Sequence, residues 1–387
     1  MFKVHCLNRI AKEGLDYLSD RYVIEDTIQE ADAVLVRSAN MLDMDLPPNL
    51  LGIARAGAGV NNIPLDRCTE KGIVVFNTPG ANANAVKELV LAALFLTSRK
   101  IYEGIEWTKS LKGKGAEIPK LIEKGKSNFT GPEVAGKKLG VIGLGAIGAL
   151  VANAAHAIGM DVTGYDPFIS VKAAWSLSRA VHRAESLDSL LADSDYISIH
   201  IPLLPDTKNF INKDTFSKMK KGVRILNFAR GELVNTQDLL DALKDGTVSC
   251  YATDFPNDEL LNAENVIPIP HLGASTPESE DNCATMASHQ LRYYIETGNI
   301  VNSVNFPDCD MPRTDTLRIT IAHRNIPNMV GQITSLLASQ NINIANMMNK
   351  SKGNAAYTII DIDGTVSDEM LDQISKIEGI IKVRMIP

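Results

Sequence analysis

No two cysteines in this chain stand at CxxC spacing, and the five present (Cys6, Cys68, Cys250, Cys283, Cys309) are scattered and odd in number. That excludes a zinc ribbon and a disulfide framework, leaves no metal-ligand set, and makes a reducing cytoplasm the plain expectation. Positive charge is also short, with a formal net charge of −7. Such a chain is poorly suited to nucleic acid or an anionic membrane as its main partner, so an anionic substrate must be met by a local cluster of cations. Residues 1–6 read as a strand start and lack the long apolar core of a signal peptide. One run, 141–160, is apolar enough to resemble a membrane span, but it carries Asn153, His156 and four glycines. That arrangement suits a cofactor loop and its helix. Low-complexity tracts and solenoid-spaced repeats are missing too.

What is present is length and alternation. A chain of 387 residues exceeds one ordinary core and predicts two or three domains. Short β-branched runs alternate with helical patterns, the signature of α/β layering around parallel sheets. In the first hundred residues the strand patterns fall at 3–7, 33–37, 52–56 and 73–76, followed by a helical run from 83 to about 102. Residues 109–131, rich in Lys and Gly, read as an exposed connector or arm. A second series begins at Lys137, with strands at 139–142, 161–164, 196–200, 223–227, 250–253 and 266–269, and a helix over 277–297 that stops at Gly298. After a linker at 306–314 the order changes to βαββαβ, a small ferredoxin-like module.

The sharpest local motif is Gly143-Leu144-Gly145-Ala146-Ile147-Gly148, placed between a strand pattern and a helix former. In that setting Gly143 permits a tight turn, Gly145 lets backbone approach a pyrophosphate, and Gly148 allows close helix–strand packing. Asp166, at the end of the next strand, is placed to accept the ribose hydroxyls of a dinucleotide. Pro167 and Phe168 follow it, with no Arg to take a 2′-phosphate, so NAD is favoured over NADP. Later strands end in segments holding Arg230, Asp254 with Glu259, and His271. Oxidising a 2-hydroxy acid needs a base for the hydroxyl proton and a guanidinium for the carboxylate. His271 is therefore the expected acid/base, Arg230 the carboxylate clamp, and Glu259 the hydrogen-bond partner that orients His271. Arg37 and Arg55 close strands of the first series and are candidates to meet a substrate phosphate.

The stretches 54–63, 77–80, 136–148, 200–207, 227–235, 254–259 and 271–276 together resemble the D-isomer-specific 2-hydroxyacid dehydrogenases, over essentially the whole chain. The resemblance implies NAD as cofactor, a phosphorylated 2-hydroxy acid as substrate, and Arg230, Glu259 and His271 as catalytic residues. It further implies cofactor contacts from Thr78, Ala146, Ile147, Ile201, Phe228, Ala229, Arg230, Asp254, His271, Gly273 and Ala274, and substrate contacts from Gly57, Ala58 and Gly59. One departure is Phe255 directly after Asp254, where the family keeps Val before the aromatic. The implied architecture is a discontinuous substrate domain (1–97 and 277–305), a Rossmann-type NAD domain (98–276) with the active site in the cleft between them, and an ACT-like regulatory module (316–387). In that module His323, Asn325 and Asn343 match positions that contact L-serine, a homodimer or homotetramer is implied, and a chain ended near Asp310 is expected to stay active and ignore L-serine unless the tail is needed for folding. Rival readings are a reductase of glyoxylate or hydroxypyruvate, a non-enzymatic NAD-sensing corepressor, and a tail that only joins subunits.

Overall fold

The computed structural model describes all 387 residues, which divide into two compact units, Met1–Asn82 with Pro277–Pro387, and Ala83–Thr276. In the first unit, strands β1 (Phe2–Cys6), β2 (Tyr22–Glu25), β3 (Ala33–Val36), β4 (Gly52–Arg55) and β5 (Val74–Phe76) form a parallel sheet in the order β2-β1-β3-β4-β5. Strand β2 had no signal of its own. It is a four-residue edge strand in which only Tyr22 is buried, so no alternation marks it. The helix Pro277–Thr297 returns to this sheet, burying Ala284, Ala287, Leu291 and Tyr294 at spacings of three and four against β4.

The tail belongs to the same unit. Strands β13 (Leu317–Arg324), β14 (Asn343–Lys352), β15 (Ala355–Asp363) and β16 (Ile380–Ile386), numbered after the seven strands of the second unit, form an antiparallel sheet in the order β14-β15-β13-β16. One face is covered by the module's own helices through Ile319, Ile321, Ile333, Leu337, Ile360 and Ile374. The other contributes Ala322, Tyr357 and Ile359 to one core with Tyr294, Phe306 and Cys309 of the first sheet's layer. Burial on both faces explains why eight successive residues of β15 are buried. The tail therefore meets the exception for folding, because a cut near Asp310 would bare this shared core.

A polar seam locks the junction. Arg318 and Asp361, cross-strand partners on β13 and β15, are both fully buried. Arg318 Nε and Nη2 donate to the two carboxylate oxygens at 2.6 and 3.0 Å, and the remaining N–H groups reach the carbonyls of Thr297, Met311 and Pro312 and Oδ1 of Asn299. Tyr357 donates its hydroxyl proton to the Gly298 carbonyl at 2.8 Å. Gly298 ends the long helix at φ +73°, and a Cβ there would lie 2.4 Å from Thr320. Lys382 donates to the Leu50 carbonyl at 2.6 Å, and burial holds its ammonium down to about 8.

The second unit is a seven-stranded parallel sheet of β6 (Lys138–Ile142), β7 (Asp161–Tyr165), β8 (His182–Arg183), β9 (Tyr196–Ile199), β10 (Val223–Asn227), β11 (Val248–Thr253) and β12 (Val266–Pro268), in the order β12-β11-β10-β9-β6-β7-β8. The order reverses between β6 and β9, and ligands of open α/β sheets bind at such a reversal, beyond the strands' carboxyl ends. Helix Ala83–Ser98 belongs here, since Val86, Val90, Ala93 and Leu94 enter this unit's core. The boundary expected near residue 97 accordingly lies at Asn82. The stretch 109–131 also departs from its expected form: helices Ile101–Ser110 and Ile118–Gly125 occupy much of it, and Trp107 packs on Phe129 at 5.2 Å. Its Lys and Gly content hid the short apolar spacing of Ile118, Leu121 and Ile122. No helix is long and apolar enough to cross a membrane.

Candidate active site

The glycine loop carries the three roles its spacing predicts. Gly143 has φ +89°, and a Cβ there would meet the His200 backbone at 2.8 Å. A Cβ on Gly148 would lie 1.9 Å from the Gly143 carbonyl, so the helix can press on the loop only through hydrogen. At Gly145 a Cβ would enter open space, the approach that a pyrophosphate needs. Gly145 caps the helix Ala146–Ala157 without a side-chain acceptor, leaving first-turn N–H groups, those of Ala146 and Ile147 included, for an anion. Ile201 and His200 back the loop at the end of β9. Burial holds the His200 imidazole down to about 4, so it stands neutral behind the phosphate path, its Nε2 2.8 Å from Ser198 Oγ.

Asp166 ends β7 beside this loop. Its Oδ2 accepts from the Leu144 amide and its Oδ1 from the Phe168 amide, both at 2.9 Å. The carboxylate thus braces the loop as well as offering itself to a ribose. Replacement by Ser keeps a small acceptor, so Asp166→Ser with Pro167→Arg is expected to raise the NADP-over-NAD ratio of kcat/KM by about tenfold or more, roughly 1.4 kcal/mol. Initial rates with both cofactors check this, and an unchanged ratio would assign ribose reading to another residue.

The chemistry-bearing side chains gather at the carboxyl ends of β10, β11 and β12. Asn227, fully buried, shapes the β10 loop: its Nδ2 donates to the Arg230 carbonyl and to the Tyr251 hydroxyl oxygen, and its Oδ1 accepts from the Ala229 amide. Buried Phe228 anchors the same turn. The Arg230 guanidinium lies 5.4 Å from the Phe255 ring centroid, and the His271 ring lies 4.5 Å from that same centroid. Phe255, the residue that departs from the family pattern, is thus the plate on which the cation and the imidazole converge. Neither Asn227 nor Phe255 was a sequence-level candidate; a polar residue closing a buried strand was the available signal for the first.

Asp254 lies beneath this cluster, 3% exposed, with Oδ1 unpartnered. Burial raises its carboxyl above the ordinary value, and the charge of His271, the Gly273 amide and Arg230 pull the other way. Glu259 is placed differently from expectation. It does not bond His271: its Oε1 accepts from Gln237 Nε2 at 2.9 Å on the exposed surface. The reason is local, since Asn257 caps the short helix Asp258–Leu261 and turns Glu259 outward in its first turn. Gly273 packs against Val86 and Asp254, with Ala274 next in the chain.

In the first unit, Arg55 Nε donates to the Arg37 carbonyl at 2.9 Å, and Arg37 pairs with Glu280 at 2.7 Å. The amides of Ala58 and Gly59 have no protein acceptor, whereas the Gly57 amide donates to Thr78 Oγ1 at 2.8 Å. Thr78 is fully buried, with its Oγ1 accepting from that amide. In the tail, His323 is 2% exposed, and its Nε2 is satisfied by Thr358 and Asn349. Asn325 donates to the Gly353 carbonyl, and Asn343 to Asp363 at the opposite end of the sheet. The three expected effector residues do not meet within one chain.

The family described as "D-isomer specific 2-hydroxyacid dehydrogenase, NAD binding domain" matches residues 91–273. A D-3-phosphoglycerate dehydrogenase of Haemophilus influenzae is 30% identical across 94% of this chain and 88% of its own length. Proteins of that name from Methanocaldococcus jannaschii (34%) and Mycobacterium leprae (38%) match 82% and 74% of this chain, which spans only 59% and 53% of theirs. The NAD-bound 3-phosphoglycerate dehydrogenase of Entamoeba histolytica superposes with a TM-score of 0.60 at 25% identity, over 79% of this chain and 98% of that one.

Proposed function

This chain belongs to the D-isomer-specific 2-hydroxyacid dehydrogenases, and we propose that it oxidises D-3-phosphoglycerate to 3-phosphooxypyruvate with NAD, the entry step of phosphorylated serine synthesis. The observation that carries the reaction class is the convergence of Arg230 and His271 on Phe255 above buried Asp254. NAD supplies the hydride acceptor when bound, and the open cradle at Gly145 with Asp166 beside it fits that group. Arg230 holds the substrate carboxylate and polarises the forming carbonyl. His271 takes the hydroxyl proton as the C2–H bond breaks.

The relatives' names support the phosphorylated substrate over glyoxylate or hydroxypyruvate, and the adjacent Arg37 and Arg55 supply cations for it. Ala58 and Gly59 offer unpaired amides to the carboxylate. Replacing both arginines with Met is expected to raise KM for D-3-phosphoglycerate by about tenfold or more while that for D-glycerate changes little. Equal losses on the two substrates would remove phosphate recognition from these residues. The reading includes a cytoplasmic homodimer or homotetramer, with five free thiols kept reduced. L-Serine as effector requires Asn325 of one copy to meet Asn343 of another, because within one chain they lie at opposite ends of β14 and β15.

A further inference from the structure

A polar cavity lies wholly within the first unit, where the tail hairpin meets the first sheet. It has a volume of about 380 Å³ and is lined by Asn77, after β5, by Asn302, Ser303 and Asp308 of the segment following the long helix, and by Ser351 and Lys352 of the β14–β15 hairpin. This size falls in the ~300–1,000 Å³ range of small-molecule sites. Its charges are one carboxylate and one ammonium, on different elements, with amides and hydroxyls between them. Asp308 is held in place because its Oδ1 accepts from the Asn302 amide at 2.9 Å, which leaves Oδ2 for a donor. Lys352 Nζ donates to the Ser303 carbonyl at 3.1 Å, with two further N–H groups to offer.

A purely anionic ligand would face Asp308, and a purely cationic one would face Lys352. We propose that this cavity binds a small zwitterion of free amino-acid type, its ammonium on Asp308 and its carboxylate on Lys352. The site is distinct from the tail positions Asn325 and Asn343. It also touches the reaction machinery on one wall. Asn77 Nδ2 donates to the Ala58 carbonyl at 2.6 Å, and Thr78, the next residue, holds Gly57 through both its amide and its hydroxyl. An occupant bridging the hairpin and Asn77 therefore biases the 57–59 loop, on which the proposed substrate contacts rest, so its effect falls on KM before kcat.

The test is calorimetry on the intact protein with glycine, L-alanine and L-serine at millimolar concentration, beside acetate and ethylammonium, each of which carries one of the two charges. At least one of the three amino acids should bind, and neither single-charge probe should. Asp308→Asn, which keeps the acceptor for Asn302, and Lys352→Met should each weaken binding by about tenfold or more while basal activity persists. Asn325→Ala and Asn343→Ala should leave it intact. No binding by any of the three amino acids, equal binding of a single-charge probe, or binding that survives both cavity variants and disappears in the two Asn variants would overturn the proposal. Because the readout is binding, it stands apart from whether D-3-phosphoglycerate is the substrate.

Discussion

His271→Asn is expected to lower turnover by about 10²–10⁴-fold while NADH affinity stays within a few-fold of the parent. Asn can still donate a hydrogen bond near the substrate hydroxyl, but it cannot take the proton, so the loss falls on the chemical step. Arg230→Lys should also be severe, since an ammonium cannot reproduce the two-pronged grip of a guanidinium on a carboxylate. The companion comparison is Asp254→Asn against Glu259→Gln. With Glu259 bonded to Gln237 on the surface and burial raising the Asp254 carboxyl, the account expects Asp254→Asn to shift the acidic limb of the pH–rate profile more than Glu259→Gln does. Stopped-flow rates across pH, with cofactor binding followed separately, measure both. Turnover of His271→Asn within a few-fold of the parent would remove this residue from the acid/base role, and a larger shift from Glu259→Gln would show that Glu259 turns inward when substrate binds.

The second large effect is on stability. Arg318→Met leaves Asp361 buried without its partner and strips donors from three carbonyls at the tail junction, and should cost about 3–5 kcal/mol. The double replacement Arg318→Met with Asp361→Leu should recover part of that, because the unpaired charge is the dominant penalty. Trp107 and Trp175 both lie in the second unit, so tryptophan fluorescence would miss the event. Amide hydrogen exchange of β13 and β15 reads it directly. Protection within about 0.5 kcal/mol of the parent in the single variant would mean the junction is held by apolar packing alone.

Much of this was legible in the residues. The helix Pro277–Thr297, the strand Val223–Asn227 and the βαββαβ order of the tail follow from apolar spacing and glycine stops, and the glycine loop from steric needs that only hydrogen meets. What escaped depends on contacts between distant segments. Periodicity shows that β15 is apolar on both faces but not what covers the second face, so the tail's fusion to the first sheet was invisible. A lone Arg in a strand reads as exposed until Asp361 is opposite it. Glu259 carries the right chemistry at the right distance along the chain, yet one capping residue, Asn257, decides where it points. His323, Asn325 and Asn343 are close in sequence terms, but an antiparallel hairpin carries two of them to opposite ends of the sheet.

The central claim is hydride transfer from C2 of D-3-phosphoglycerate to NAD. Incubating the enzyme with D-3-phosphoglycerate deuterated at C2 and NAD, then analysing the reduced cofactor by mass spectrometry, tests it in one step. The account predicts deuterium in the NADH formed and a slower rate than with the protiated acid where hydride transfer limits turnover. Unlabelled NADH, or none at all while glyoxylate or hydroxypyruvate is readily reduced, would contradict it.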